Sequence, residues 1–216
     1  MLVYENGTIH GSIGGGALEK EAIEKALEVI KKNRPETFSR NLVNDLAMCC
    51  GGTVEIFFEP IMNKKRLYIF GAGHVGKALA SFAVPLNFNV SLIDDRYEMF
   101  EDSSIEFVNE IKENYKIAIP NLIFDENTMV VVATHDHAYD REILALVGNL
   151  PCLYIGMIGS ERKVEIAKKN LLGHLLSQEV LNKIKMPIGL PINSNTPEEI
   201  AISILAELIL VRNKNI

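Results

Sequence analysis

The stretch Leu67-Tyr68-Ile69-Phe70-Gly71-Ala72-Gly73-His74-Val75-Gly76 decides the fold. Four apolar residues without a polar face read as a strand covered on both sides, the pattern of a parallel sheet. The glycines follow at once and a helix runs on through Ala80, so strand, tight turn and helix N-terminus come in direct succession. That is the setting a dinucleotide-binding fingerprint requires. Gly71 permits the turn, Gly73 lets backbone approach a pyrophosphate, and Gly76 lets helix and strand pack closely. Asp94 lies 23 residues after Gly71, at the end of a second strand over Asn89–Ile93. A carboxylate there accepts from ribose hydroxyls and repels a 2′-phosphate, which favours NAD or another unphosphorylated nucleotide. The alternative is a Rossmann-like scaffold that keeps the turn without a ligand.

Further apolar runs at Met129–Ala133 and Leu153–Ile155 alternate with helical segments, which predicts an α/β fold with a doubly wound parallel sheet. Thr196-Pro197-Glu198-Glu199 reads as a capping box with Pro at the first helical position, opening a last helix whose apolar positions nearly encircle it. Such a helix is expected to be buried.

Upstream the pattern differs. An Asn6-Gly7 turn separates two short alternating runs, a hairpin signal. Gly14-Gly15-Gly16 then leads into a helix that Pro35 stops, and two strands are expected around 36–43 and 53–58. A polar linker near 62–65 therefore separates a smaller N-terminal α+β domain, 1–62, from a Rossmann-like domain, 63–216.

Composition narrows the function. The net charge of −6, from 22 basic and 28 acidic residues, offers a nucleic acid little counterion release, so no nucleic-acid partner is expected. The longest strongly apolar stretch, Ala201–Val211, is eleven residues long and contains Glu207, too short to span a bilayer. No secretory signal is visible at Met1, and three cysteines make no disulfide framework, so a cytoplasmic protein is expected.

Several constellations can carry chemistry. His135 and His137, with Asp136 and Asp140 near, begin where the third strand of the sheet ends, and can hold a metal, move protons, or simply form a polar helix start. Ser160, Arg162 and Lys163 follow the glycines Gly156 and Gly159 and can face a phosphate, or be a solvated helix start. The two segments are expected to line one cleft, because both leave strands at the carboxyl edge of a parallel sheet. Gly14, Gly15 and Gly16 can cradle an anion or let another chain pack closely. Cys49 and Cys50 precede Gly51-Gly52, which leaves a thiol accessible for nucleophilic chemistry; burial as inert thiols is the alternative. Cys152, at the start of a buried strand, is expected to be inert.

Read together, Gly-Ser-Ile-Gly-Gly-Gly-Ala-Leu-Glu at 11–19, Cys-Cys-Gly-Gly-Thr-Val-Glu at 49–55, Ile-Phe-Gly-Ala-Gly-His-Val-Gly at 69–76, Ala-Thr-His-Asp-His at 133–137, Gly-Met-Ile-Gly-Ser-Glu-Arg-Lys at 156–163 and Pro-Ile-Gly-Leu at 187–190 closely resemble the XdhC/CoxI family. These are accessory factors of xanthine dehydrogenase and related molybdenum hydroxylases. The resemblance implies a cofactor chaperone rather than a turnover enzyme. It would bind the molybdenum cofactor (molybdopterin), protect it while a cysteine desulfurase supplies sulfur, and deliver it to the apo-hydroxylase. Where the family usually has Cys after the triple glycine this chain has Ala17, so a sulfur role falls on Cys50 or Cys49. The family also normally has a further helix and strand before the segment that begins here, so a sheet edge is expected to be covered by a second subunit in a homodimer. Two competing readings use the Rossmann cleft instead, one as an NAD-dependent oxidoreductase or metalloenzyme, the other as a nucleotide-sensing regulatory module.

Overall fold

The computed structural model describes residues 1–41, 52–61, 64–101, 105–173 and 175–214. The chain divides into two compact units, residues 1–63 and 64–215.

In the first unit β1 (Leu2–Val3) and β2 (Ile9–His10) form the expected antiparallel hairpin. Helix α1 (Gly16–Lys32) buries Leu18, Ala22, Ala26 and Val29, and ends at Asn33 in the left-handed region, two residues before Pro35. Strands β3 (Glu36–Asn41) and β4 (Thr53–Phe58) pair antiparallel from Glu36 opposite Phe58 to Asn41 opposite Thr53.

The second unit is a Rossmann-like α/β domain. Its strands are β5 (Lys65–Phe70), β6 (Phe88–Ile93), β7 (Asn109–Ile111), β8 (Thr128–Val132) and β9 (Tyr154–Met157), all parallel, in the spatial order β7-β6-β5-β8-β9. Because β5 is flanked by β6 on one side and β8 on the other, the connections leave it in opposite directions, and the crevice beyond its carboxyl end is the topological switch point.

Alternation along the strands feeds two cores. Leu67, Ile69, Val90, Leu92, Met129 and Val131 face α2 (His74–Ala83) and α7 (Pro197–Lys214). On the other face Tyr68, Phe70, Val130, Val132, Ile155 and Met157 meet α3 (Tyr115–Ala118), α4 (His137–Val147), α5 (Glu161–Leu171) and α6 (Gln178–Lys183). Helix α7 buries Ala201, Ser203, Ile204, Leu205 and Leu208, as its apolar circumference predicts. Its start is the capping box: the Glu199 amide donates to Thr196 Oγ1 at 3.2 Å, and the Thr196 amide donates to Glu199 Oε2 at 3.2 Å. Among the described residues no helix is long and apolar enough to cross a membrane.

Candidate functional site

The glycine turn is built by close approach. Gly71 sits at φ 115°, and a Cβ there would lie 2.2 Å from the Ala133 carbonyl oxygen, so the ends of β5 and β8 touch through backbone. A Cβ at Gly76 would lie 1.9 Å from the Gly71 carbonyl oxygen, whereas at Gly73 it would meet nothing within 4 Å. Gly73 is therefore the one glycine of the motif with open space above it.

Asp94 ends β6 as expected, but its own chain occupies it. Oδ2 accepts from the Ala72 amide at 2.8 Å and from Arg96 Nη2 at 2.7 Å, and Oδ1 accepts from Arg96 Nε at 2.9 Å. Burial works to raise this carboxyl's pKa, and the Arg96 fork with the Ala72 amide outweighs it, holding the group below its ordinary range. Beside it is a small recess, lined among others by Gly71, Asp94, Tyr115, Thr134, His135 and Tyr139, with a volume of about 10 Å³. That is room for about one water molecule. Aromatic rings wall it in: His135 meets Tyr139 edge-on at 5.5 Å, and Tyr139 meets Tyr115 at 5.0 Å.

The roomier site lies one strand further along. Between α4 and α5, beyond the ends of β8 and β9, is a cavity of about 340 Å³ whose polar lining is His137, Asp140, Arg141, Ser160, Arg162 and Lys163. Asp136 caps α4 by accepting from the Ala138 amide at 2.7 Å, and Ser160 caps α5 by accepting from the Lys163 amide at 3.4 Å. Asp140, buried in the first turn of α4, ties the wall together. Its Oδ1 accepts from the Thr134 amide at 3.1 Å and hydroxyl at 2.7 Å. Its Oδ2 has no aligned hydrogen bond and faces the Lys163 ammonium at 2.6 Å, with His137 Nδ1 at 3.9 Å.

His137 thus shares a cavity with Arg162 and Lys163, while His135 lines the glycine crevice with Gly71 and Asp94. Among the described residues no three His, Cys, Asp or Glu side chains converge as metal ligands do.

In the first unit, the cradle of Gly14, Gly15 and Gly16 is filled from within. Glu19 Oε2 accepts from Ser12 Oγ at 2.5 Å and from the amides of Ile13 and Gly15 at 3.0 and 3.2 Å. The Ser12 hydroxyl and these amides hold the Glu19 carboxyl below its ordinary pKa. Cys49 and Cys50 lie outside the described residues. Cys152 is half-buried, and that burial, aided by the negative charge of Asp125, pushes its thiol up to about 12, the state of an unreactive thiol.

Sequence reasoning overlooked Arg96, Glu19, Arg141 and the Asp140–Lys163 pair. Two carried a local signal: a basic residue two places after a strand-end acid, and an acid in the first turn of a helix that follows a glycine loop. The Asp140–Lys163 pair carried none, because it joins residues on separate helices through the fold.

The model of the XdhC Rossmann domain matches residues 67–208, and that of the XdhC and CoxI family matches residues 1–40. The chain is 32% identical to the uncharacterized protein YqeB of Escherichia coli (strain K12), over 99% of this chain and 40% of that protein. It is 29% identical to a probable xanthine dehydrogenase subunit of Bacillus subtilis (strain 168), over 75% of this chain and 47% of that protein. The chain therefore spans less than half the length of these curated relatives. A crystal structure described as that of a xanthine dehydrogenase from Bacillus halodurans aligns with TM-score 0.62 at 22% identity, over 98% of this chain and 85% of that one. At that identity the likeness is one of fold.

Proposed function

From the premise that the chain belongs to the XdhC and CoxI family, we propose that it is a maturation factor for a xanthine dehydrogenase-type molybdenum hydroxylase, binding the molybdenum cofactor as cargo and handing it to the apo-enzyme. The Bacillus subtilis relative, by its name a probable xanthine dehydrogenase subunit, supports the choice of client. The observation that carries the binding role is the cavity of about 340 Å³ between α4 and α5, with three cationic side chains and one carboxylate in its lining. Such a lining suits an anionic organic ligand. Within the proposal Cys50 or Cys49 handles sulfur, a cysteine desulfurase is the donor, and the protein acts as a homodimer. The nucleotide-dependent alternative has less support, because the Asp94 carboxylate is held by Arg96.

The test is to purify the protein from cofactor-replete cells, oxidise it in acid and measure the fluorescence of any pterin released. A client hydroxylase produced with and without the protein is assayed in parallel. Stoichiometric pterin, and client activity that depends on the protein, are expected. Release of NAD instead, with client activity indifferent to the protein, would replace the maturation reading with the nucleotide one.

A further inference from the structure

We infer that the cavity between α4 and α5 is a phosphomonoester site, in which Arg141 and Arg162 bind a dianionic phosphate, Lys163 completes its ring of donors, and Asp140 positions Lys163. The inference deepens the binding role proposed above for the same cavity, and it moves the anion away from the glycine turn where the sequence motif puts it.

Charge carries the argument. Asp140 and Lys163 neutralise each other at 2.6 Å, so the lining that remains is the two guanidiniums of Arg141 and Arg162 beside His137. Neither guanidinium makes a hydrogen bond or an ion pair among the described residues; the carboxylate of Glu142, next to Arg141 in sequence, is held by Lys116 at 2.9 Å and feels the Arg141 charge without pairing with it. A cavity edged by two guanidiniums that have no paired carboxylate, the exposed Arg162 and the half-buried Arg141, suits a doubly charged group with several acceptor oxygens. The first turn of α5 adds amide hydrogens and the positive end of its dipole.

The buried carboxylate bears on where Lys163 stands. Asp140 lines the cavity; its Oδ2 is wholly enclosed, has no aligned hydrogen bond and faces the Lys163 ammonium at 2.6 Å, while Oδ1 is anchored by Thr134. An isolated buried carboxylate is costly, so its ammonium partner is fixed in place. Lys163 thereby stands at the cavity wall with donors to spare, since an ammonium has three N–H groups and Asp140 engages one side of it. A pyrophosphate diester, as in NAD, carries one charge per phosphorus and fits this lining less well than a terminal phosphomonoester.

The experiment titrates the full chain by calorimetry with inorganic phosphate, phenyl phosphate, a pterin phosphate and NAD. Phosphate and both monoesters are expected to bind, with NAD at least tenfold weaker. Arg162→Gln and Arg141→Gln should each weaken phenyl phosphate about tenfold or more, the loss of a charge-assisted hydrogen bond. Lys163→Gln should do the same and Lys163→Arg should restore most of it, with circular dichroism confirming that each variant is folded. Pterin phosphate binding no tighter than phenyl phosphate would leave the phosphate site standing without the cofactor reading, whereas tighter binding that all three substitutions weaken supports both. Equal affinity in wild type and in the Arg141→Gln, Arg162→Gln double variant overturns the inference. So does binding that survives those changes but is lost in Gly73→Ala, which places the anion at the glycine turn.

Discussion

Gly71, Gly73 and Gly76 share one motif and meet three different surroundings. At Gly71 a methyl group would collide with backbone of the neighbouring strand while φ stands at 115°, and at Gly76 it would collide with the Gly71 carbonyl. Backbone cannot yield as a side-chain tip does. We expect Gly71→Ala and Gly76→Ala each to cost about 3 kcal/mol or more of stability, and Gly73→Ala to stay within about 1 kcal/mol of wild type. Urea unfolding of the three variants checks this ordering; a Gly73→Ala variant as unstable as Gly76→Ala would show that the turn is closed from above as well. Cys152 gives a second prediction at this scale. With its thiol pushed up to about 12, it should resist iodoacetamide at pH 8 in the native protein and react fully once unfolded. Rapid native alkylation of a Cys152-containing peptide, read by mass spectrometry, would contradict the burial that causes the shift.

Among the elements, α7 shows how a start signal and a burial pattern cooperate. Its capping box satisfies exposed amides, and its buried residues seal the face of the sheet shared with α2. Thr196→Ala removes the oxygen that accepts from Glu199 and should cost about 1 kcal/mol, or about 2–4 °C in Tm for a chain of this size. An unchanged Tm would mean that packing alone fixes the start of α7. This box was legible in four consecutive residues, as were the strands β5, β6, β8 and β9, because their signals are local and apolar. β7, which is only Asn-Glu-Ile, was not, because an edge strand of three residues has no periodicity to read. The candidate site was legible in part for the same reason. Ser160, Arg162 and Lys163 follow a glycine-containing turn, so their position at a helix start could be read. That Arg96 takes Asp94, that Glu19 meets the glycine-loop amides, and that Lys163 meets Asp140 are outcomes of side-chain pairing in the folded chain, which no run of consecutive residues encodes.

For the whole molecule, depressed carboxylates are spread over both units, and their effect on stability has one sign. Glu19 and Glu36 in the first unit, and Asp94, Asp125, Glu142 and Glu199 in the second, are all held below their ordinary values. Glu36, hydrogen-bonded first by Lys25 and then by Lys32, is lowered to about 2. A carboxylate with a lower pKa folded than unfolded contributes its full stabilisation above the unfolded pKa, and loses it as pH falls through the folded one. The stability should therefore be flat from about pH 7 to pH 5 and fall between about 4.5 and 2. Cys152 acts at the other end: its folded pKa is raised, so its contribution holds below the unfolded value near 9 and is lost as pH rises toward about 12. The acid limb divides further by burial. Asp94 is 5% exposed beside Arg96, whereas Glu36 is 18% exposed and one of its partners, Lys32, 46%, so salt screens the Glu36 pairs more. Thermal melts from pH 2 to 7 should show the acid fall in both low and high salt, with Glu36→Gln and Asp94→Asn both shallower than wild type and the Glu36→Gln difference shrinking more in high salt. A fall beginning near pH 6, where these carboxylates are still ionised in both states, would show that they are not its source.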